Sequence, residues 1–191
     1  PSGSHFINLT SLLTSRDNLR EGKADLLTLS HAVYGMHYDA SADLDASNVS
    51  FLAQSLGSIV GTVFLAVDPS VKVGVINVPG GGIARLLDAS PAFGPLIHAG
   101  LAAAGVMQGT PEYDAYFVAT QTVIDSGDPI NFGGNDTLLA NNAPTATSTK
   151  CLLVQEVVCV GKYLPDQVIP NSVPGAPLSG TEPLITALGL S

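Results

Sequence analysis

The chain has 191 residues, of which 46% are hydrophobic and only 12% are charged. Its 7 Lys+Arg against 16 Asp+Glu give a formal net charge of −9 at pH 7, which argues against nucleic-acid binding and against docking on anionic lipid head groups. The apolar content excludes a disordered chain, and the length predicts one domain whose core needs no disulfide or metal.

The first predicted element is an amphipathic helix over residues 12–34. Its apolar stripe recurs every seven residues, at Leu12, Leu19, Leu26 and Val33, and is widened by Leu13 and Leu27. Gly35 is expected to end this helix. The polar residues 39–48 that follow are typical of a surface loop.

A βαβ unit is predicted next. Residues 49–53 form a short apolar strand pattern, residues 59–66 an apolar helix pattern, and residues 71–78 a second strand pattern. The order strand, helix, strand predicts two parallel strands joined by a right-handed crossover. The second strand runs into the segment Pro79-Gly80-Gly81-Gly82.

The region 80–132 is predicted to be a helical cap. Prolines and glycines divide it into apolar helical pieces at residues 83–87, 96–107 and 113–124, which suit a layer lying over another part of the fold. A polar loop over 136–149, a third strand over 151–160 and a short final helix over 184–188 are expected to follow. We find no internal repeat and no second domain boundary.

Several features predict what the chain lacks. No apolar run approaches the about 20 residues of a membrane span, and the first residues show no export signal. Cys151 and Cys159 fit no metal spacing and, on one straight strand, would be too far apart for a disulfide. We therefore predict two buried free thiols and no metal or organic cofactor.

The sharpest motif is Ala53-Gln54-Ser55-Leu56-Gly57, which fits the small-x-Ser-x-Gly pattern of a nucleophile elbow between a strand and a helix. A serine in that sharp turn presents its hydroxyl to a cleft, and the crowded backbone favours small residues two positions before and after it. The N-terminus of the following helix suits an oxyanion. We predict Ser55 as the nucleophile and the Leu56 N–H as the first oxyanion donor, although an ordinary strand-to-helix turn would give the same string.

A nucleophilic serine needs a base, and the base needs an acid that orients it. Asp166 follows the third predicted strand, where the acid is expected, although it also suits a turn between Pro165 and Pro170. Asp125 and Asp128 are weaker candidates because the Asp-Pro pair at 128–129 suits a turn. Of the four histidines, only His98 follows Ser55, and its apolar helical setting favours a packing role over that of the base.

Further segments extend the motif into a resemblance that runs nearly end to end. They are residues 6–20 (FINLTSLLTSRDNLR), 54–61 (QSLGSIVG), 79–84 (PGGGIA), 125–131 (DSGDPIN), 166–171 (DQVIPN) and 177–184 (PLSGTEPL). Together they resemble large bacterial extracellular lipases of the surface-exposed lysophospholipase type. In place of the Gly-His that this family usually has before the serine, the chain has Ala53-Gln54.

The resemblance implies an α/β-hydrolase fold: a mostly parallel sheet with flanking helices and a helical cap, incomplete at both ends. It implies hydrolysis of lipid carboxylic esters and a secreted or cell-surface location, with Ser55 as nucleophile and Asp166 as acid. It places the strand with the second oxyanion donor before Pro1 and the catalytic histidine after Ser191. His98 is the alternative base.

Two functions follow as expectations. The first is a cofactor-independent serine lipase or esterase acting on acyl glycerols or other acyl esters. The second is a non-catalytic module of the same fold that lacks the catalytic histidine and binds lipid or a partner through its apolar cap. Acyl preference, the choice between phospholipid and neutral lipid, and oligomeric state do not follow from the residues.

Overall fold

The computed structural model describes residues 6–7, 11–37, 39, 44–134 and 150–190. Within this part of the chain 51% of the residues are helical and 11% lie in strands. Three parallel strands form one sheet in the order β1-β2-β3. The expected α/β class is therefore confirmed as a mixed fold built on a parallel sheet.

The helices and strands alternate over the first half and cluster into helices over the cap region. The helices are α1 (Leu12–Val33), α2 (Leu56–Val67), α3 (Ile83–Ala89), α4 (Gly94–Ala103), α5 (Pro111–Ile124) and α6 (Thr181–Ala187). The strands are β1 (Ser50–Gln54), β2 (Val73–Asn77) and β3 (Cys151–Gln155), and short 3₁₀ turns cover Ala46–Asn48, Asp125–Gly127 and Pro129–Phe132.

The predicted βαβ unit is confirmed. Strand β1 pairs in parallel with β2 from Ser50↔Val73 to Gln54↔Asn77, and β2 continues the same register to β3. Every residue of α2 from Ser58 to Ala66 is buried, which accounts for its uninterrupted apolar sequence. The helix begins three residues earlier than the pattern predicted, because Ser55 already starts its first turn.

Helix α2 packs closely on β1 at a single glycine. A Cβ atom built on Gly61 would lie 2.3 Å from Cε1 and 2.7 Å from Cζ of Phe51. Gly61 therefore sets the separation between the helix and the first strand.

Gly61→Ala is expected to lower the free energy of unfolding by about 1 to 3 kcal/mol, since the new methyl group overpacks a filled core. Gly100→Ala in α4 is the matched control, because nothing lies within 4 Å of a Cβ there and alanine favours a helix. Urea unfolding of both variants measures the difference. Equal stability of the two would contradict the packing described here.

Two expectations about the third strand are wrong. Strand β3 ends at Gln155 rather than near residue 160, because beyond that residue the backbone has no parallel neighbour in the described part of the chain. Cys151 and Cys159 are exposed rather than buried. Residues alternate between exposed and half-buried along this edge strand, and Cys151 lies on the exposed face.

The helices predicted between residues 80 and 132 are confirmed, while their role as a cap stays a prediction. The three apolar pieces form α3, α4 and α5, and the final helix is α6. Within α1, Leu19 is fully buried as expected, whereas Leu13 is exposed. The loop predicted over 136–149 lies outside the described residues.

Two buried lysines, Lys23 in α1 and Lys150 just before β3, bond to backbone carbonyls. The ammonium group of Lys23 donates to the Gly127 carbonyl at 2.9 Å, and that of Lys150 donates to the carbonyls of Val71, at 2.5 Å, and Asp68. Burial lowers the pKa of each from 10.5 to about 8.

These lysines are expected to make the protein more stable as the pH rises from 8 towards 10. Below pH 8 both states hold the protons, while above it the folded state sheds protons that the unfolded chain keeps up to pH 10.5. The gain between pH 8 and 9.5 should be about 3 kcal/mol for the pair. Denaturant unfolding at several pH values measures it.

Lys23→Met should reduce this dependence by about half, whereas Lys162→Met, at an exposed position, is the control for losing a positive charge. The predicted rise in stability is limited to pH values below 10, because above that pH the titration of Tyr113 also contributes. Burial raises the pKa of Tyr113 to about 12. Between pH 10 and 12 the unfolded chain loses the proton of this tyrosine while the folded state keeps it, which lowers the free energy of unfolding as the pH rises. A flat profile from pH 8 to 9.5 would contradict the burial of the lysines.

Candidate active site

Ser55 occupies a strained turn between β1 and α2. Its backbone angles are φ 52° and ψ −123°, a region that glycine enters far more readily than any residue with a side chain. The Ser55 N–H donates to the Asn77 carbonyl at 2.9 Å, and the Ser55 carbonyl accepts from the N–H groups of Ser58 and Ile59. The strain is held by the end of the sheet on one side and the first turn of α2 on the other.

The residues around this turn are small for a geometric reason. Ala53 is buried, and a Cβ atom on Gly57 would lie 3.8 Å from the Cβ of Ala53, in ordinary contact. Small residues at both positions therefore pack the turn without a clash. Ser58 adds a further anchor, because its buried hydroxyl donates to the Asn77 carbonyl at 2.8 Å.

The polar groups at the turn are left available. The Ser55 hydroxyl makes no hydrogen bond to any described residue, and neither does the N–H of Leu56 at the first position of α2. The N-terminus of a helix carries a partial positive charge, so a free N–H there suits an oxygen that gains negative charge. The predicted nucleophile and the predicted oxyanion donor are thus adjacent, and neither bonds to another described residue.

Ser55 opens into an apolar cavity of about 360 Å³, which we call the main cavity. Its walls come from α1, α2, α3 and α4, from the short segments at 6–7 and 168–169, and from Phe93 just before α4. Apart from Ser55 the lining is apolar, formed by Ile7, Leu19, Leu56, Ile59, Ile83, Leu86, Leu87, Phe93, Ile97, Val168 and Ile169. Such a cavity with one polar group at its wall is typical of a site for an apolar ligand.

Asp166 forms a turn that supports one wall of the main cavity. Its Oδ1 accepts from the N–H groups of Val168 at 2.7 Å and Ile169 at 2.9 Å, and both of those residues line the cavity. Its Oδ2 makes no hydrogen bond to any described residue. The carboxylate is therefore fixed through one oxygen while the other is available, and its catalytic role stays a prediction.

Asp128 serves a different purpose. It is fully buried, and both of its oxygens accept hydrogen bonds: Oδ1 from the N–H groups of Gly82 and Ile130, and Oδ2 from the Ile83 N–H and the Gln121 amide. Burial raises its pKa, although these four donors favour the charged form. Asp128 thus fixes the start of α3. The exposed Asp125 accepts from the side chains of Gln121 and Asn131.

His98 is tied into the cap rather than to Ser55. Its Nε2 lies 2.9 Å from Oδ1 of Asp88 and 3.0 Å from the amide nitrogen of Gln108. Asp88 also accepts from the Tyr113 hydroxyl and pairs with Arg85 at 2.9 Å. None of the histidines in the described part of the chain lines the main cavity, and His5 lies outside the described residues.

A second strained residue was not anticipated from the sequence. Val78 follows β2 with φ 45°, and its N–H donates to the Gln155 carbonyl at 2.7 Å. Ser55 and Val78 are the non-glycine residues with positive φ in the described part of the chain, and each directly follows a strand. A valine followed by a proline gives no sequence signal of such a conformation.

The glycines that follow Val78 permit close packing under α3. A Cβ on Gly80 would lie 2.4 Å from Cδ1 of Leu86, and Gly81 pairs through two backbone hydrogen bonds with Gly180. Gly82 has φ 63° and would place a Cβ 2.4 Å from the Ser179 hydroxyl. The segment therefore seats α3, whose Leu86 and Leu87 line the main cavity.

Two further findings concern metals and membranes. The described residues contain no group of three or more His, Cys, Asp or Glu side chains placed to hold a metal ion. In the same part of the chain, every helix is too short or too polar to cross a membrane.

Comparisons of the chain with protein families, with curated proteins and with solved structures found no match.

Proposed function

We propose that this protein is a serine carboxylic-ester hydrolase of the α/β-hydrolase type, acting on acyl glycerols or other acyl esters. The observation that carries the proposal is the backbone of Ser55, strained at φ 52° and ψ −123° between a parallel strand and a buried helix. Strain of this kind persists where it serves a function, and here it directs a hydroxyl into an apolar cavity. The resemblance in sequence adds export to the cell surface or medium.

In the proposed reaction the Ser55 oxygen attacks the ester carbonyl carbon while a histidine takes the hydroxyl proton. The Leu56 N–H donates to the oxyanion that forms. Collapse of the intermediate breaks the bond to the alcohol, which leaves with the proton from the histidine, and water then hydrolyses the acyl-serine by the same steps. The free Oδ2 of Asp166 would hold the histidine in its working tautomer.

This reaction requires a base that the described residues do not bring to Ser55, since His98 is bonded to Asp88. That observation favours a second candidate: a non-catalytic module that binds an acyl chain or a partner in the main cavity. The strained Ser55 favours the hydrolase, because, unlike the strained Val78, it lies at the wall of the main cavity beside the unbonded N–H of Leu56.

Turnover of short p-nitrophenyl esters separates the two functions. Ser55→Ala should lower kcat/KM by about 10⁴-fold or more. Ser58→Ala, one turn along the same helix, is the matched control and should retain activity within about tenfold, since Ser58 only anchors the turn. Turnover that survives in Ser55→Ala would contradict the hydrolase. Binding of acyl chains without any turnover in the wild-type protein would favour the module.

A further inference from the structure

A second, smaller cavity adjoins the main cavity behind some of the same side chains. It has a volume of about 30 Å³ and lies between α1, α3 and α5, with Phe117, Thr120 and Ile124 on its far side. Five residues line both cavities: Ile7, Leu19, Ile83, Leu87 and Ile97. We call these five residues the shared wall.

We propose that the shared wall sets the length of the acyl chain that the protein accepts, and that Leu87 is the residue that determines it. The proposal rests on the proposed function, because it assumes that the chain enters the main cavity from an ester at Ser55. It adds a substrate class, acyl esters of medium length, and a residue outside the reacting groups that selects them.

The volume of the main cavity gives the length. A closed apolar cavity of about 150 Å³ holds benzene, which corresponds to about 25 Å³ for each non-hydrogen atom. The main cavity of about 360 Å³ then holds about 14 such atoms. The ester group takes three of them, which leaves room for an acyl chain of about 10 to 12 carbons.

The smaller cavity cannot extend this chain as it stands. Its 30 Å³ accommodates about one carbon, and the shared wall separates it from the main cavity. The Thr120 hydroxyl on its far side donates to the Tyr116 carbonyl at 2.8 Å, so it needs no polar ligand. An acyl chain longer than the main cavity therefore contacts the side chains of the shared wall and cannot extend further.

Leu87 is the position on this wall where size can change with the least damage to the fold. Leu19, Ile83 and Ile97 are buried core residues, whereas Leu87 and Ile7 are only partly buried against the same core. Of these two, Leu87 is the one that lies on a helix. Its helix is fixed independently, by Asp128 at the start and by the Arg85–Asp88 ion pair of 2.9 Å near the end. A new side chain at position 87 should alter the cavity and leave α3 in place.

The test is kcat/KM for p-nitrophenyl esters from butyrate to palmitate. In the wild-type protein kcat/KM should rise by up to about fourfold for each added methylene and peak at about 10 to 12 carbons. Leu87→Ala removes three atoms and joins the smaller cavity, which moves the peak longer by about four carbons. Leu87→Phe adds three atoms and moves it shorter by about three carbons.

Opposite shifts at one position cannot come from a general loss of folding. Leu101→Ala is the matched control, because Leu101 packs against the same core from α4 but lines neither cavity. Its peak should stay at the wild-type length. Leu87 variants that keep the wild-type peak while remaining folded and active would overturn the proposal.

A binding measurement separates failure of this proposal from failure of the proposed function. Fatty acids of 8 to 16 carbons are titrated calorimetrically into Ser55→Ala protein, with and without the Leu87 substitutions. If no variant hydrolyses esters but the preferred fatty-acid length still changes with residue 87, the role of Leu87 in chain-length selection is supported and the proposed hydrolase activity is contradicted. If esters are hydrolysed but the substitutions change neither the preferred ester length nor the preferred fatty-acid length, the hydrolase activity is supported and the role of Leu87 is contradicted.

Discussion

Ser55→Gly is expected to stabilise the protein while it abolishes ester hydrolysis. Relief of a strained non-glycine backbone is worth about 1 to 3 kcal/mol, and the greater freedom of glycine in the unfolded chain offsets about 0.5 to 1 kcal/mol of it. A net gain of about 1 kcal/mol in the free energy of unfolding should remain. Loss of the nucleophile should lower kcat/KM by about 10⁴-fold or more.

Ser55→Ala is the control that isolates the backbone. Alanine keeps the Cβ atom and hence the strain, and the hydroxyl it removes has no hydrogen-bond partner among the described residues. Its stability should therefore stay within about 0.5 kcal/mol of the wild type, while its activity is lost as in Ser55→Gly. Urea unfolding and ester turnover measure both effects. A glycine variant less stable than the alanine variant would contradict the strain at Ser55.

The second large effect should distinguish Asp128 from Asp166. Asp128→Asn replaces one of two oxygens that each accept two hydrogen bonds in a fully buried position, so two N–H donors lose their acceptor. We expect the free energy of unfolding to fall by about 2 to 4 kcal/mol. Folded Asp128→Asn protein should retain activity within about tenfold, since Asp128 supports α3 and has no free oxygen for a base.

Asp166→Asn should show the opposite pattern. The amide oxygen of asparagine can take the place of Oδ1 and accept from Val168 and Ile169, so stability should change by less than about 1 kcal/mol. Activity should fall by about 10⁴-fold, because an amide cannot stabilise the charged histidine or fix its tautomer. Full activity in Asp166→Asn would show that Asp166 is a turn residue and that the acid lies elsewhere.

The sequence predicted the parts of the site that are local in the chain. The spacing of small residues around Ser55 and the apolar segments on either side were enough to place a strand, a sharp turn and a helix. The three cap helices followed from proline and glycine positions. In each case the interactions that fix the element lie within a few residues of one another.

The sequence could not predict features that depend on distant residues. The exposure of Cys151 follows from the position of β3 at the edge of the sheet, which no local pattern reports. The strained Val78 donates its N–H to the carbonyl of Gln155, far along the chain. The burial of Lys23 likewise depends on the Gly127 carbonyl, 104 residues away.

The main cavity is another such feature. Its lining joins Leu19 from α1, Ile59 from α2 and Ile169 from the segment after β3 to the cap helices. The apolar cap was expected to bind lipid or a partner, but the contribution of α1 was not, because an apolar helix stripe alone predicts only core packing. The cavity is therefore formed jointly by the helices α1 and α2, the segment after β3 and the cap helices, and Ser55 lies at its wall.

The most direct test of the account is whether Ser55 reacts as an activated nucleophile. A fluorophosphonate probe is incubated with wild-type protein and with the Ser55→Ala and Ser58→Ala variants, and the adduct is located by intact-mass and peptide mass spectrometry. We predict one phosphonylated residue, Ser55, in the wild-type and Ser58→Ala proteins, and none in Ser55→Ala. Folded wild-type protein that stays unlabelled, or is labelled at another residue, would contradict the hydrolase.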